Sequence, residues 1–287
     1  MYSFKAAHGN FGDDLNDWMW PKLLGSDMAL LPTTTFVGIG SILDQRLNKI
    51  PGPKIVFGSG IRSTKNLPGE SDTLHIRFVR GPISGLALGG TTKWITDPAI
   101  LVRPLISKPA TPPSMIGLMP HYHSLPLMSW PKVAEELGLL FIDPRASVDE
   151  TLALLGQCKS VVTEAMHGAI VADALRIPWT RISFHAWRKE GFDVSSLKWL
   201  DWGLSAQVDV TPNHLPSPSP KPSNLLIRAA VIARNALVVR RATNALHNLL
   251  QKNEYQLSDD RKHQELLDKT MNEVRELKSW LRYSPSE

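Results

Sequence analysis

The chain has 287 residues, 43% of them hydrophobic and 21% charged. That composition supports a packed core, excludes global disorder, and suits two α/β domains of ordinary size or one large one. The formal net charge of +5 fits an anionic substrate or an anionic membrane surface, while the absence of a basic run interleaved with aromatics argues against a nucleic-acid partner.

The N-terminus, Met1 to Lys5, lacks the apolar segment of a secretory leader. No uninterrupted apolar run reaches the roughly 18 residues of a membrane span. The expected location is the cytoplasm, with peripheral contact at the inner face of the membrane left open. The single cysteine, Cys158, excludes an intramolecular disulfide and lies in an apolar helix-to-strand segment, as a buried structural thiol would.

Short β-like runs alternate with helical patterns, the signature of βαβ units and a parallel sheet. In chain order, Tyr2 to Ala7 predicts a first strand and Leu15 to Leu24 a helix. Strands follow at Thr35–Gly38, Lys54–Phe57 and Leu74–Val79, with a short helix after Gly85. Lys108 to Ser114 holds three prolines in seven residues and predicts a linker. The pattern then restarts: strand Met115–Met119, helix Trp130–Leu137, strand Leu139–Ile142, helix Val148–Gln157, strand Ser160–Thr163, a helix carrying His167, and strand Trp179–Ile182. The proline cluster Leu215 to Pro222 marks a second boundary. Beyond it, Asn224–Leu250 predicts a helix whose Arg228, Arg234, Arg240 and Arg241 fall on different sides. A last helix, opened by Ser258-Asp259-Asp260, carries the stripe Leu267, Met271, Val274, Leu277 and Leu281, expected to pack on the chain itself or on a second copy, with lipid contact as the alternative. The expected organisation is an N-terminal unit over 1–107, a C-terminal unit over 108–214 and a linker with helical tail over 215–287, with ligands bound between the first two.

Several residues stand where such a fold puts chemistry. Gly9-Asn10-Phe11-Gly12-Asp13 lies between a strand and a helix, where backbone N–H groups can hold an anion or a sugar hydroxyl. Asp13 or Asp14 either takes a proton from a hydroxyl or caps the helix. The turns after the next two strands do not complete a dinucleotide fingerprint. Arg80, before Gly81-Pro82, either grips a carboxylate or phosphate bidentately or forms a surface ion pair. His121-Tyr122-His123 makes a poor metal site, because no nearby ligand completes the set, but His121 suits a substrate-facing imidazole. Glu164 and His167 sit at a strand exit facing a helix start, followed by Gly168. His167 is the strongest candidate, since imidazole exchanges protons near neutral pH. Lys198-Trp199-Leu200-Asp201-Trp202 offers a cation and a carboxylate flanked by indoles that stack on sugars or fill a core.

Together these motifs resemble the polysaccharide pyruvyl transferase family, in particular its bacterial exopolysaccharide ketal-pyruvate transferases of the succinoglycan type. The resemblance runs through Gly9 to Asp13, Arg80-x-x-x-Ser84, Thr96-Asp97-Pro98-Ala99, Pro120-His121-Tyr122, Glu164-Ala-Met-His167-Gly168 and Lys198-Trp-x-Asp201-Trp202, in order over about two hundred residues. It implies two Rossmann-like domains in a GT-B-like arrangement, extended by the helical tail. It implies phosphoenolpyruvate as donor substrate, no cofactor or metal, and a sugar of a lipid-linked oligosaccharide as acceptor. His167 is then the general acid or phosphate partner, Arg80 the donor clamp and Asp13 the group that orients or deprotonates the acceptor. Gly9, Asn10, Gly12, His121, Glu164, Gly168 and Lys198 are expected to bind substrate. The wider family has Arg-Leu-His where this chain has Ala165-Met166-His167, so Lys198, Arg188 or Lys189 is expected to stand in for the arginine. The rival readings are a nucleotide-sugar glycosyltransferase of GT-B type and a non-enzymatic scaffold of the polysaccharide assembly machinery. Homo-oligomerisation stays open.

Overall fold

The structure is a computed structural model that describes residues 1–283 other than Lys5, Pro32, Glu70, Lys108, Ala110 and 220–224. In the first half, α1 (Phe11–Leu24) precedes β1 (Thr35–Val37), β2 (Ser41–Leu43), β3 (Lys54–Phe57), β4 (Gly60–Ile61), β5 (Leu74–Phe78) and α2 (Pro82–Ala87). The second half runs β6 (Met115–Met119), α3 (Trp130–Glu136), β7 (Leu140–Phe141), α4 (Val148–Leu155), β8 (Cys158–Thr163), α5 (Met166–Ala174), β9 (Trp179–Ser183), α6 (Ala186–Glu190), α7 (Phe192–Ala206) and β10 (Asn213–His214). Two long helices close the chain, α8 (Leu225–Lys252) and α9 (Asp260–Tyr283).

The strands form a three-stranded sheet ordered β1-β3-β5, a five-stranded sheet ordered β10-β9-β8-β6-β7 and the pair β2-β4. Every one of these pairings is parallel. The expected α/β class with parallel sheets therefore stands. β3 and the apolar part of β8 are buried along their length, as continuous Ile/Val runs in the middle of a parallel sheet should be.

One core joins the two halves. Leu15 and Met19 of α1 share it with Val148 and Leu152 of α4, Ala169 and Ile170 of α5, and Leu277 and Leu281 of α9. Asn16 fixes α1 against the exit of β1. It is fully buried, its Oδ1 accepts from Ile39 N (2.8 Å) and Trp20 Nε1 (3.0 Å), and its Nδ2 donates to the Asp13 (3.1 Å) and Ile39 (3.0 Å) carbonyls. A buried amide with all four groups paired holds the helix start rigidly.

Three expectations change. The first strand shrinks to one bridge, Tyr2 to Val37, because only the Tyr2 N–H reaches the edge of β1 (2.8 Å to Phe36 O) before the chain turns at Ala6–Gly9. Lys5, within that predicted strand, lies outside the described residues. Helix α1 begins at Phe11, a turn earlier than predicted. Residues 192–206, read only as a motif, form the helix α7. Lys108 and Ala110 of the predicted linker, Pro220 to Pro222 of the second proline cluster, Asn224 and the side chain of Arg228 lie outside the described residues.

The last helix packs on its own chain. Its buried stripe is Leu266, Val274, Leu277 and Leu281, with Leu267 and Met271 half-covered. Arg282 holds Asp27 bidentately (2.8 and 2.9 Å), and Arg77 pairs with Glu273 (3.2 Å) and Glu276 (2.8 Å). Asp259, rather than Ser258, caps α9 through the Arg261 and Lys262 N–H groups (3.0 and 3.1 Å). No described helix is long and apolar enough to cross a membrane.

Candidate active site

The C-terminal ends of β1, β6 and β8 face one cleft of 260 Å³, the position where open parallel sheets bind ligands. The first turns of α1 and α5 open on it, contributing Asn10 and Gly12 from one and Met166 and His167 from the other. Neither N-cap side chain, Asn10 or Ala165, hydrogen-bonds the first turn of its helix, so the positive ends of two helix dipoles open on this space.

His167 stands between these helices. Its Nε2 lies 3.6 Å from Oδ2 of Asp97, which is fully buried. That separation is too long for a hydrogen bond, and neither atom has another partner among the described residues. Asp97 Oδ1 accepts from Ala99 N (3.0 Å) and caps the helical turn that follows, so its carboxylate is held in place from the opposite side. Burial raises the Asp97 pKa, but the facing imidazole and then Arg80 outweigh it and keep the group below its usual range. The other imidazole nitrogen, Nδ1, packs against Gly12, where a Cβ would stand only 2.1 Å away. Only glycine lets α1 come this close to the ring. Gly168 plays the same part behind it: a Cβ there would meet Thr163 Oγ1 at 2.6 Å and Met119 Sδ at 2.7 Å, so α5 lies tight on β6 and β8.

The two acidic residues opening α1 divide their work. Asp14 Oδ2 accepts the Asn10 backbone N–H (2.9 Å), a helix-start contact. Asp13 faces the cleft and accepts from the Asn10 side chain. Burial pushes the Asp13 carboxyl up, against the pull of His167, Asn10 and Lys198.

Glu190, Lys198 and His121 form a second cluster on the opposite wall. Glu190 Oε1 accepts from Lys198 Nζ and lies 3.4 Å from His121 Nε2. Burial would raise the Glu190 pKa, but Lys198 and His121 outweigh it and hold the group well below the carboxylate range. His121 Nδ1 accepts the His123 N–H (3.2 Å), which fixes the ring. Arg46 also lines the cleft, gripped by Asp44 (2.6–3.0 Å). Arg62 and Lys189 line it too and make no ion pair with any described residue. Arg188 turns away, its guanidinium 4.9 Å from the Trp187 ring.

Of the sequence-predicted residues, Asn10, Gly12, Asp13, His121, His167 and Lys198 meet in the cleft. Gly9, Arg80, Glu164 and Gly168 stand behind its wall. Arg80 has no exposed surface. Its Nε pairs with Asp201 Oδ2 (3.2 Å) and its Nη1 donates to Ser41 Oγ (2.8 Å). Asp201 in turn accepts from Ser84 N (3.0 Å) and Oγ (2.6 Å). The Arg80-x-x-x-Ser84 and Asp201 motifs thus build one buried network that docks α7 on α2, and Arg80 is in an ion pair, but one inside the protein and not at the surface as expected. Glu164 is likewise spent on backbone. Oε1 accepts from Phe184 (3.0 Å), His185 (2.8 Å) and Ala186 (2.9 Å), and Oε2 accepts from His121 N (3.2 Å). It ties the ends of β6, β8 and β9 together and so positions the His121 ring. Trp199 and Trp202 fill the core beside Trp179, with ring centroids 6.3 and 5.4 Å from it.

Sequence reasoning passed over Asp97 and Glu190 as functional groups. Asp97 had a signal, the Thr96-Asp97-Pro98-Ala99 run among the motifs of the family resemblance. Glu190 had none, since only the packing of α6 on α7 brings it to His121 and Lys198. Cys158 is buried, and burial pushes its thiol up to about 12.

The model of the family described as "Polysaccharide pyruvyl transferase" matches residues 23–185. The chain is 36% identical to the succinoglycan biosynthesis protein ExoV of Rhizobium meliloti (strain 1021), over 75% of this chain and 67% of that protein. It is 25% identical to the uncharacterized protein L143 of Acanthamoeba polyphaga mimivirus, over 67% of this chain and 70% of that one. No solved structure matches it significantly. With the matched region running through the cleft's His121 and His167, the chain belongs to the polysaccharide pyruvyl transferase family and is a transferase enzyme.

Proposed function

We propose that the protein moves pyruvate from phosphoenolpyruvate onto two hydroxyls of a sugar in an exopolysaccharide precursor, as in succinoglycan assembly, forming a cyclic ketal and releasing phosphate. The observation that carries this reading is a buried Asp97 behind His167, facing a cleft with two cations, Arg62 and Lys189, that form no ion pair with any described residue. Phosphoenolpyruvate carries a carboxylate and a phosphate, and both must be neutralised without being consumed by protein carboxylates. Arg62, Lys189 and the open first turns of α1 and α5 suit that task. They take over the donor-clamp role that the sequence assigned to Arg80, and Lys189 is the better substitute for the family arginine.

The chemistry follows from these groups. A proton added to the methylene carbon of the enol makes the adjacent carbon an electrophile. An acceptor hydroxyl attacks it and gives up its proton. A second hydroxyl then displaces phosphate, which leaves with the remaining proton. His167 supplies the acid or meets the phosphate, with the Asp97 carboxylate behind its Nε2. Asp13, made more basic by burial, takes the hydroxyl proton. A GT-B-like arrangement of two Rossmann-like domains, split near residues 107 and 108, agrees with the separate parallel sheets.

A lipid-linked acceptor agrees with the charge of the tail: between Val210 and Asn253 there are six Lys and Arg and no Asp or Glu. Exposed Leu237 and Ile232 lie on the same stretch of α8. The test is direct. Purified protein, phosphoenolpyruvate and a lipid-extracted glycan pool should yield a glycan heavier by one pyruvate ketal, with matching release of phosphate. Transfer from a nucleotide sugar instead would replace this reading with that of a glycosyltransferase.

A further inference from the structure

A second cavity, of 460 Å³, lies on the other face of α7. Val194 and Lys198 of that helix face the transferase cleft, whereas Ser195, Ser196 and Leu200 face this pocket. At its floor is Arg181 of β9, only 9% exposed. The guanidinium stacks 4.2 Å from the Trp199 ring and donates through Nη1 to Val210 O. Its Nε is buried without a partner, and no described carboxylate pairs with it. Burial pulls its pKa down to about 10, against the pull of Glu164 and Glu190, so it is still a cation at neutral pH. A buried cation that no described carboxylate touches is costly, and a ligand anion would relieve it.

The pocket's walls match a ring better than a bare ion. Trp187 and Phe192 stand edge to face with centroids 6.4 Å apart. Phe192 is 65% exposed and Leu200 47% exposed, an apolar rim that no described element covers. Ser183, Thr211 and His214 place hydrogen-bonding groups around it. Asp209 also lines the rim, but its carboxylate is folded onto Thr211 (2.8 Å to N, 2.7 Å to Oγ1). Aromatic faces with scattered hydroxyls and one cation are the chemistry of an anionic sugar.

We propose that this pocket binds a saccharide bearing a phosphate or carboxylate, its anion on Arg181 and its ring against Trp187 and Phe192. The inference rests on the pyruvyl transferase reading only in taking that saccharide to be part of the acceptor. The binding itself is measured without turnover. Calorimetry on the full chain would use glucose 1-phosphate and glucuronate as probes, with methyl glucoside and inorganic phosphate as controls.

Binding of either charged sugar, and weaker binding of both controls, is the expected result, and the arm that binds identifies the anion's source. Arg181→Gln should weaken it about tenfold or more. Phe192→Ala, at an exposed position that folding does not need, should also weaken it several-fold, while His167→Ala should leave it unchanged. Equal binding of methyl glucoside or of inorganic phosphate, no binding of any probe, or binding indifferent to Phe192→Ala would overturn the proposal. A failure here leaves phosphate release from phosphoenolpyruvate untouched, so the two readings fail separately.

Discussion

Nε2 of His167 and Oδ2 of Asp97 face each other at 3.6 Å, and each is buried with no other partner among the described residues. Two unsatisfied polar atoms aimed at one another mark a contact that closes when the ring shifts by a few tenths of an ångström. Closing it would fix which imidazole nitrogen carries the proton. Asp97→Asn keeps the shape and the Ala99 contact but loses that bias. Turnover should fall by about 10²-fold or more with little change in thermal stability, as measured by phosphate release alongside a melting curve.

Gly12→Ala probes the same ring from the other side. The added methyl would stand 2.1 Å from His167 Nδ1, so the imidazole must move. Displacement of a catalytic group by about 1 Å costs on the order of 10²-fold. The expected outcome is a folded protein, by circular dichroism, with turnover reduced to that extent.

Arg80→Ala separates a structural cation from a donor clamp. Both Arg80 and Asp201 are fully buried, so the variant leaves a carboxylate inside the protein without its counter-ion. The cost should be about 3–5 kcal/mol of folding stability, read by denaturant titration. Replacing Arg80 and Asp201 together by apolar residues should recover part of that loss. A donor clamp would instead show an unchanged stability and a raised KM for phosphoenolpyruvate.

Glu190 ties stability to pH. Its folded pKa lies below the unfolded value of 4.5 because Lys198 and His121 together outweigh burial. A depressed carboxylate stabilises the fold fully above its unfolded pKa and loses that contribution as pH falls through the folded value. The difference in melting temperature between the wild-type protein and Glu190→Gln should therefore shrink as the pH is lowered below 4.5.

What was legible in the sequence was local. β3 and β8 are apolar runs bounded by turns, and the motif order carried the family. His167 follows β8 in a strand-to-helix turn whose place in a parallel sheet follows from the βαβ pattern, and Asn10, Gly12 and Asp13, at the start of α1, meet it in the cleft. What was not legible depended on distant packing. Arg80 looks the same in sequence whether it faces substrate or Asp201, 121 residues away. Glu164 looks catalytic until its oxygens are found to accept four backbone N–H groups from two separate loops. The start of α1 was placed late because Phe11 and Gly12 are weak helix formers alone. Asn16 and the docking of α1 on β1 override that propensity.

The most direct measurement is phosphate release from phosphoenolpyruvate in the presence of the glycan acceptor, comparing the wild-type protein with His167→Ala. Acid–base help of this kind is worth about 10²–10⁴-fold, so the variant should fold normally and lose at least the lower figure. Near-normal pyruvate transfer by His167→Ala would contradict the account.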